Sequence, residues 1–300
     1  MLYAKSSYDK ERLIMADNKK YRVSGHEKFP LREGWISKGI SCVSEDNRLF
    51  SGVEGADKLG VGTNMVKAIR YYMQTFNLIE ESVSKGSKLT PMGQVILKED
   101  LNLEDTFTLW LLHSNLAKNM EDAVIWYLFF NKCNVEEFKE KEILELIKKE
   151  LFKLLETDST KEGVIKDGID VLLNMYSKNN ENVDPEDKIN SPMATLGLVK
   201  KDKDTYIKQQ PDLRKVSEWV ILYELSCIFE SGETTKSIDE IADTIGNVYN
   251  MSKVTVNGYL DRLENMEYIK VDRTAGLDVI YPINIMNPID IIKEYYNQHK

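Results

Sequence analysis

Apolar residues recur at helical spacing in a block near each end of the chain, and each block runs into a short alternating stretch. In the C-terminal block, Ser237, Ile238, Asp239 and Glu240 have the spacing of a capping box that opens a helix through Ile245. Gly246 and Asn247 suit a left-handed stop to that helix. Ser252 then caps a second helix whose Val256, Tyr259, Leu260, Leu263 and Met266 share one face. Tyr268 to Val271 and Leu277 to Tyr281 read as a hairpin, with Asp272 to Gly276 as its turn. Helix, turn, helix and hairpin is the winged-helix order. The outward side of the second helix carries Lys253, Asn257, Asp261 and Glu264, and two carboxylates there repel a phosphate backbone. A role in dimerisation or protein docking is equally compatible with this unit.

The N-terminal block has the same order and a different surface. Gly60 and Gly62 make a tight turn, with Thr63 or Asn64 as cap of the next helix. Met65, Val66, Ile69, Tyr72, Met73 and Phe76 form its buried stripe. Its opposite face holds Thr63, Asn64, Lys67, Arg70, Gln74 and Asn77, with Tyr71 beside them, and contains no acid. Those side chains are donors of the kind that phosphates and base edges accept, on the helix that a helix-turn-helix lays in the major groove. We therefore expect Thr63, Asn64, Lys67, Arg70, Tyr71 and Gln74 to contact DNA. An ordinary solvated helix face has the same pattern. Leu78 to Glu81 and Leu89 to Pro91 bracket the expected hairpin and start the following helix.

Between the two blocks the pattern is helical. Val124 to Phe130 is almost wholly apolar and belongs in a core or interface, and amphipathic helices are expected over Val135 to Leu155 and Gly163 to Tyr176. Ser177 to Lys188 is polar, contains Pro185 and reads as a linker. The expected fold class is mostly α with small β wings. Two winged-helix-like units, 1–100 and 189–300, are joined by a helical middle, 101–176, and a linker, 177–188.

Composition narrows the function. The 300 residues carry a net charge of −9, which disfavours indiscriminate coating of DNA but allows a local basic face. No run is long enough to span a membrane, and Met1 to Lys20 mixes charge with apolar residues, unlike a signal peptide. Three widely spaced cysteines point to a reducing compartment, and a cytoplasmic location is expected. The spacing after Gly60 lacks a Walker lysine, and no zinc-ligand or Gly-x-Ser-x-Gly motif occurs.

The densest polar constellation runs from Gly25 to Trp35. His26, Glu27, Lys28 and Arg32 could supply base, acid and cationic stabilisation to a phosphoryl centre, with Mg²⁺ or Mn²⁺ as a possible divalent cofactor. His26-x-Lys28-x4-Glu33 approaches one phospholipase-D-type motif, but those enzymes need two, with Asp in place of Glu. A turn shaped by Pro30 and Gly34, with charges pairing across a seam, accounts for the same residues. Glu137-Phe138-Lys139 lies in Lys/Glu-rich sequence better explained by solvated helical pairs.

Gly25 to Phe29, Arg32 to Trp35, Gly60 to Tyr72 and Leu196 to Val199 together resemble a bacterial family once known only as a domain of unknown function: the SspB-type proteins of single-stranded DNA phosphorothioation islands. The resemblance implies a component of phage defence that nicks one strand, so that sulfur can replace a non-bridging phosphate oxygen. It implies as partners DNA, a reductase-like sulfur-transfer protein, an ATPase and a cysteine desulfurase. The alternative is a non-catalytic winged-helix adaptor or regulator. A homodimer would suit paired half-sites.

Overall fold

A computed structural model describes residues 21–52, 54–156, 160–177 and 191–299. In the N-terminal unit, Gly34 (φ 76°) leads into α1 (Trp35–Glu45), which buries Trp35, Ile36, Ile40 and Val43. Helix α2 (Gly55–Leu59) ends on left-handed Gly60, and α3 (Thr63–Thr75) follows. The cap of α3 is Gly62 with no side-chain bond, so neither Thr63 nor Asn64 caps it. Its stripe is buried at Ile69, Tyr72, Met73 and Phe76, while Met65 and Val66 are half-buried. Helix α1 crosses α3 closely at Gly39, where a Cβ would lie 2.3 Å from Met73 Sδ. Strands β1 (Ile79–Ser82) and β2 (Gly86–Leu89) form the antiparallel wing, with Ile79 opposite Leu89. Thr90 then caps α4 (Pro91–Glu99) by accepting from Gly93 N at 3.0 Å.

The middle holds α5 (Thr106–Lys118), α6 (Val124–Asn131), α7 (Glu140–Leu155) and α8 (Glu162–Tyr176). Helix α7 starts at Glu140 rather than Val135, because Glu137–Phe138 is a strand, β3. It pairs with β5 (Thr205–Lys208), which pairs in turn with β4 (Val199–Asp202), giving the order β3-β5-β4. Phe138 is drawn inward by stacking on Tyr206, centroids 5.9 Å apart, and by an edge contact with Phe129. The local pattern does not reveal this sheet, since β3 lies far along the chain from the β4–β5 hairpin that it joins. The expected linker, beyond Ser177, and Met1 to Lys20 lie outside the described residues.

The C-terminal unit comprises α9 (Glu218–Phe229), β6 (Lys236–Ser237), α10 (Ile238–Tyr249), α11 (Lys253–Asn265), β7 (Ile269–Asp272) and β8 (Val279–Pro282), with sheet order β6-β8-β7. Three local expectations change. Ser237 precedes α10 but makes no side-chain cap bond. The helix continues through Gly246 to Tyr249 and stops at left-handed Asn250 (φ 51°). Gly246 serves close packing instead, since a Cβ there would meet Met251 O at 2.7 Å. Met266 is exposed, off the buried stripe, whereas Ser252 caps α11 as expected through Thr255 N at 3.1 Å.

Helix α12 (Pro288–Gln298) packs on both α9 and α4, tying the two winged units together. One continuous apolar core runs from Leu31 to Tyr296. Within it, the Glu224 carboxylate accepts from Lys118 Nζ at 2.7 Å, Tyr249 OH at 2.7 Å and Ser114 Oγ. His113 lies between Tyr176 OH and Val248 O, each at 2.8 Å. These buried polar contacts fix α5 against α8, α9 and α10. Among the described residues no helix is long and apolar enough to cross a membrane.

Candidate nucleic-acid interface

The outward face of α3 stands beside the β1–β2 wing, as periodicity predicts, and Thr63, Asn64, Lys67 and Arg70 are exposed on it. The face is not free of acid in three dimensions. Glu81, on β1, takes both Arg70 Nε (3.0 Å) and Arg70 Nη2 (2.7 Å), Gln74 Nε2 (2.6 Å) and Ser87 Oγ (2.7 Å). Burial opposes the charge on Glu81, but the bonds from Arg70, Ser87 and Gln74 outweigh it and hold the carboxyl below its ordinary range. Arg22 Nη1 extends the chain of contacts by donating to Gln74 Oε1 at 3.1 Å. Lys67 is looser, 4.0 Å from Glu27, and its ammonium remains largely in water. Arg48 supports the wing tip by donating to Ser84 O at 2.9 Å. Arg22, Arg48 and Glu81 were not among the residues singled out from sequence.

Tyr71 does not belong to this surface. It is 1% exposed, with the Arg22 guanidinium 4.9 Å from its ring and His26 and Trp126 packed against it. The segment Tyr21 to Phe29 folds across that side of α3 and covers it. Gly25 (φ 154°) is required in this crossing, because a Cβ would fall 2.6 Å from Tyr71 Cδ2 and 2.5 Å from Arg22 Nε.

The Gly25-to-Trp35 motif proves to be a clasp. His26 is 1% exposed, and its Nδ1 accepts from Lys28 N at 3.1 Å. Burial is the main cause that lowers its pKa to about 4, so the ring is neutral and walled off from solvent. A ring so enclosed does not meet a phosphate at the surface, and its burial argues against the catalytic role expected for His26. Glu27 and Lys28 occupy consecutive left-handed positions (φ 49° and 65°), which turn the chain sharply. Phe29 N closes the turn on His26 O at 2.8 Å, and Tyr72 OH donates to Phe29 O at 2.7 Å. Lys28 pairs with Asp167 on α8 at 2.9 Å, and Arg32 lies over the Phe29 and Trp35 rings. Glu27, Lys28 and Arg32 thus point to different neighbours and do not converge on one point.

On the C-terminal unit, Lys253 is held by Asp239 at 3.0 Å and Asp243 at 3.1 Å. Asp261 is paired with Arg273 at 2.7 Å, and Val254 is 82% exposed on the same helix. This face offers a nucleic acid little uncompensated positive charge.

A family described as "Protein of unknown function (DUF4007)" matches residues 23–296, a span that includes both winged units and the clasp. The chain belongs to this family. The DUF4007 chain also shares its fold with two solved structures. One, "Magnesium ion-bound SspB crystal structure", has a TM-score of 0.81 and 20% identity, covering 95% of this chain and 89% of that one. The other, "SspB crystal structure", has a TM-score of 0.81 and 19% identity, covering 95% and 90%. No curated protein matches. Among the described residues, no three His, Cys, Asp or Glu side chains converge. The described residues therefore present no preformed all-protein cage for Mg²⁺, an ion that more often rests on one or two carboxylates, water and phosphate.

Proposed function

We propose that this protein is a DNA-binding component of an SspB-type phosphorothioation system, gripping duplex DNA with α3 and the adjacent wing. The observation that supports this most is the exposed Thr63, Asn64, Lys67 and Arg70 on the second helix of a helix-turn-helix, with Gln74 behind them and a hairpin alongside. Phosphates would take the donors of Lys67 and Arg70. Glu81 is then an internal competitor, occupying the guanidinium that a phosphate would need. Glu81→Gln should tighten non-specific duplex binding and steepen its salt dependence by about one phosphate contact. Unchanged affinity with an intact fold would contradict that role for Arg70. The system's other proteins, and a second copy of this chain, are the partners proposed with DNA.

A second reading is metal-dependent nicking of one strand, favoured by the fold shared with a magnesium-bound SspB structure. With His26 buried, the exposed Glu27 and Lys28 and the half-buried Arg32 are the expected site residues of the Gly25-to-Trp35 motif left for it. Supercoiled plasmid incubated with the purified protein and Mg²⁺ or Mn²⁺ tests this reading. Open circle lost with Lys28→Ala would support it, and retained binding with no open circle would leave the adaptor role.

A further inference from the structure

The β1–β2 wing is held from outside as well as by its own strands. Arg48, in the loop after α1, reaches across to the wing tip. It donates to Ser84 O through Nη2 at 2.9 Å and to Val83 O through Nη1 at 3.5 Å. Beside it, Asn47 O accepts from Ser87 N at 2.8 Å. That approach needs glycine at position 86 (φ 73°), where a Cβ would fall 2.1 Å from Asn47 O. Lys85 N closes the tip on Ser82 Oγ at 3.1 Å.

The brace is itself anchored. Asp46 Oδ1 accepts from Arg48 N at 2.8 Å, and Asp46 Oδ2 from Lys58 Nζ at 2.7 Å, which ties the loop to α2. Leu49, next in the loop, is 1% exposed and seats it in the core. A hairpin joined only through its strands opens easily at its tip. Bonds to a core-anchored loop hold this tip at a set distance from α3.

What the tip presents is positive. Val83 is 100% exposed, so the tip projects clear of the domain. Lys85 is exposed between Ser84 and Gly86, and among the described residues no carboxylate pairs with Lys85 or with the Arg48 guanidinium. Both acids of β1 are already engaged, Glu80 by Lys88 at 2.8 Å and Glu81 by Arg70 at 2.7 Å. A positive lobe at a fixed span from a cationic helix face is complementary to two phosphates of one duplex.

We propose that Arg48 is a positioning residue: it fixes the wing tip relative to α3, so that Lys85 meets a backbone phosphate of the duplex that α3 grips. The inference rests on α3 being the DNA-gripping helix, and it adds Lys85 as a contact outside that helix.

Limited trypsin digestion and duplex titration of the full chain test it. Cleavage after Lys85 should quicken in Arg48→Ala while the thermal midpoint stays close to wild type, because the brace lies at the surface. Lys85→Ala should weaken duplex binding about ten-fold at low salt and flatten the plot of log K against log salt by about one unit. Arg48→Ala should weaken it as well, and the double variant should bind no more weakly than Arg48→Ala alone, since a loosened tip no longer delivers Lys85. Lys67→Ala should add its full loss in either background. Arg48→Lys keeps the charge without the two-pronged fork, and should recover little. If Arg48→Ala fails to fold, Arg48→Lys carries the same comparison. Lys85→Ala binding like wild type, while Lys67→Ala with Arg70→Ala weakens binding, would overturn the wing contact and leave α3 standing. Additive losses, with full recovery in Arg48→Lys, would make Arg48 a direct phosphate contact and overturn the positioning role. Wild-type binding in every variant would remove the reading of α3, and this inference with it.

Discussion

Acidification from pH 6.5 to about 4 is expected to remove on the order of 6 kcal/mol of folding stability through His26 and His113 together. Both rings are buried, and burial is the leading cause that lowers each pKa from 6.5 to about 4. The unfolded chain takes up these protons first. The stabilisation is thus complete above pH 6.5, declines below it and is gone once the folded-state pKa is passed. At ~1.4 kcal/mol per pKa unit, each ring contributes roughly 3 kcal/mol. Two depressed carboxyls, Glu81 and Glu224, act in the same direction at lower pH, because each favours its charged form when folded. Urea unfolding at stepped pH measures the slope, and His26→Asn should remove about half of the histidine part. A stability constant across this range would show that the clasp is not the closed, dry environment described above.

Glu224→Ala should cost about 3–5 kcal/mol, the range for stripping one partner from a buried ion pair. Glu224 is 2% exposed, and its substitution deprives the half-buried Lys118 ammonium and the buried Ser114 and Tyr249 hydroxyls of their shared acceptor. The pair joins α5 to α9, and Tyr249 adds α10, so the loss should loosen the C-terminal unit first. Replacing both partners, Lys118→Met with Glu224→Met, should recover most of the stability, because two well-packed apolar chains need no counter-charge. Thermal and urea unfolding of the single and double variants separate these effects. A loss below about 1 kcal/mol in Glu224→Ala would place the carboxylate in contact with water.

What could be read from sequence follows the range of the interactions. Apolar periodicity located α3, α8 and α11, because each depends on its own buried stripe, and an almost continuous apolar run located α6. Both winged orders were legible for the same reason. The β3 strand was not, since Phe138 is held by Tyr206 and Phe129, which lie far along the chain or in another helix. Tyr71 sat at the border of stripe and polar face, and only the crossing of Tyr21 to Phe29 decided its burial. His26 looked like chemistry because it was polar and rare, whereas its environment is an aromatic pocket of Tyr71 and Trp126. One missed residue did leave a signal. Strand alternation puts Glu81 on the same side as Ile79, and an acid on an inward side implies a cation facing it. Arg70 is that cation.

The central claim is that α3 is the DNA-gripping helix, and the salt dependence of duplex binding tests it most directly. Arg70 and Lys67 are exposed, and neither is part of the core, so Lys67→Ala with Arg70→Ala should preserve the fold. If both contact phosphates, the double variant should bind duplex DNA more weakly. Its plot of log K against log salt should flatten by about two units relative to wild type. An unchanged affinity and slope in a folded double variant would contradict the assignment and move any DNA contact to another face.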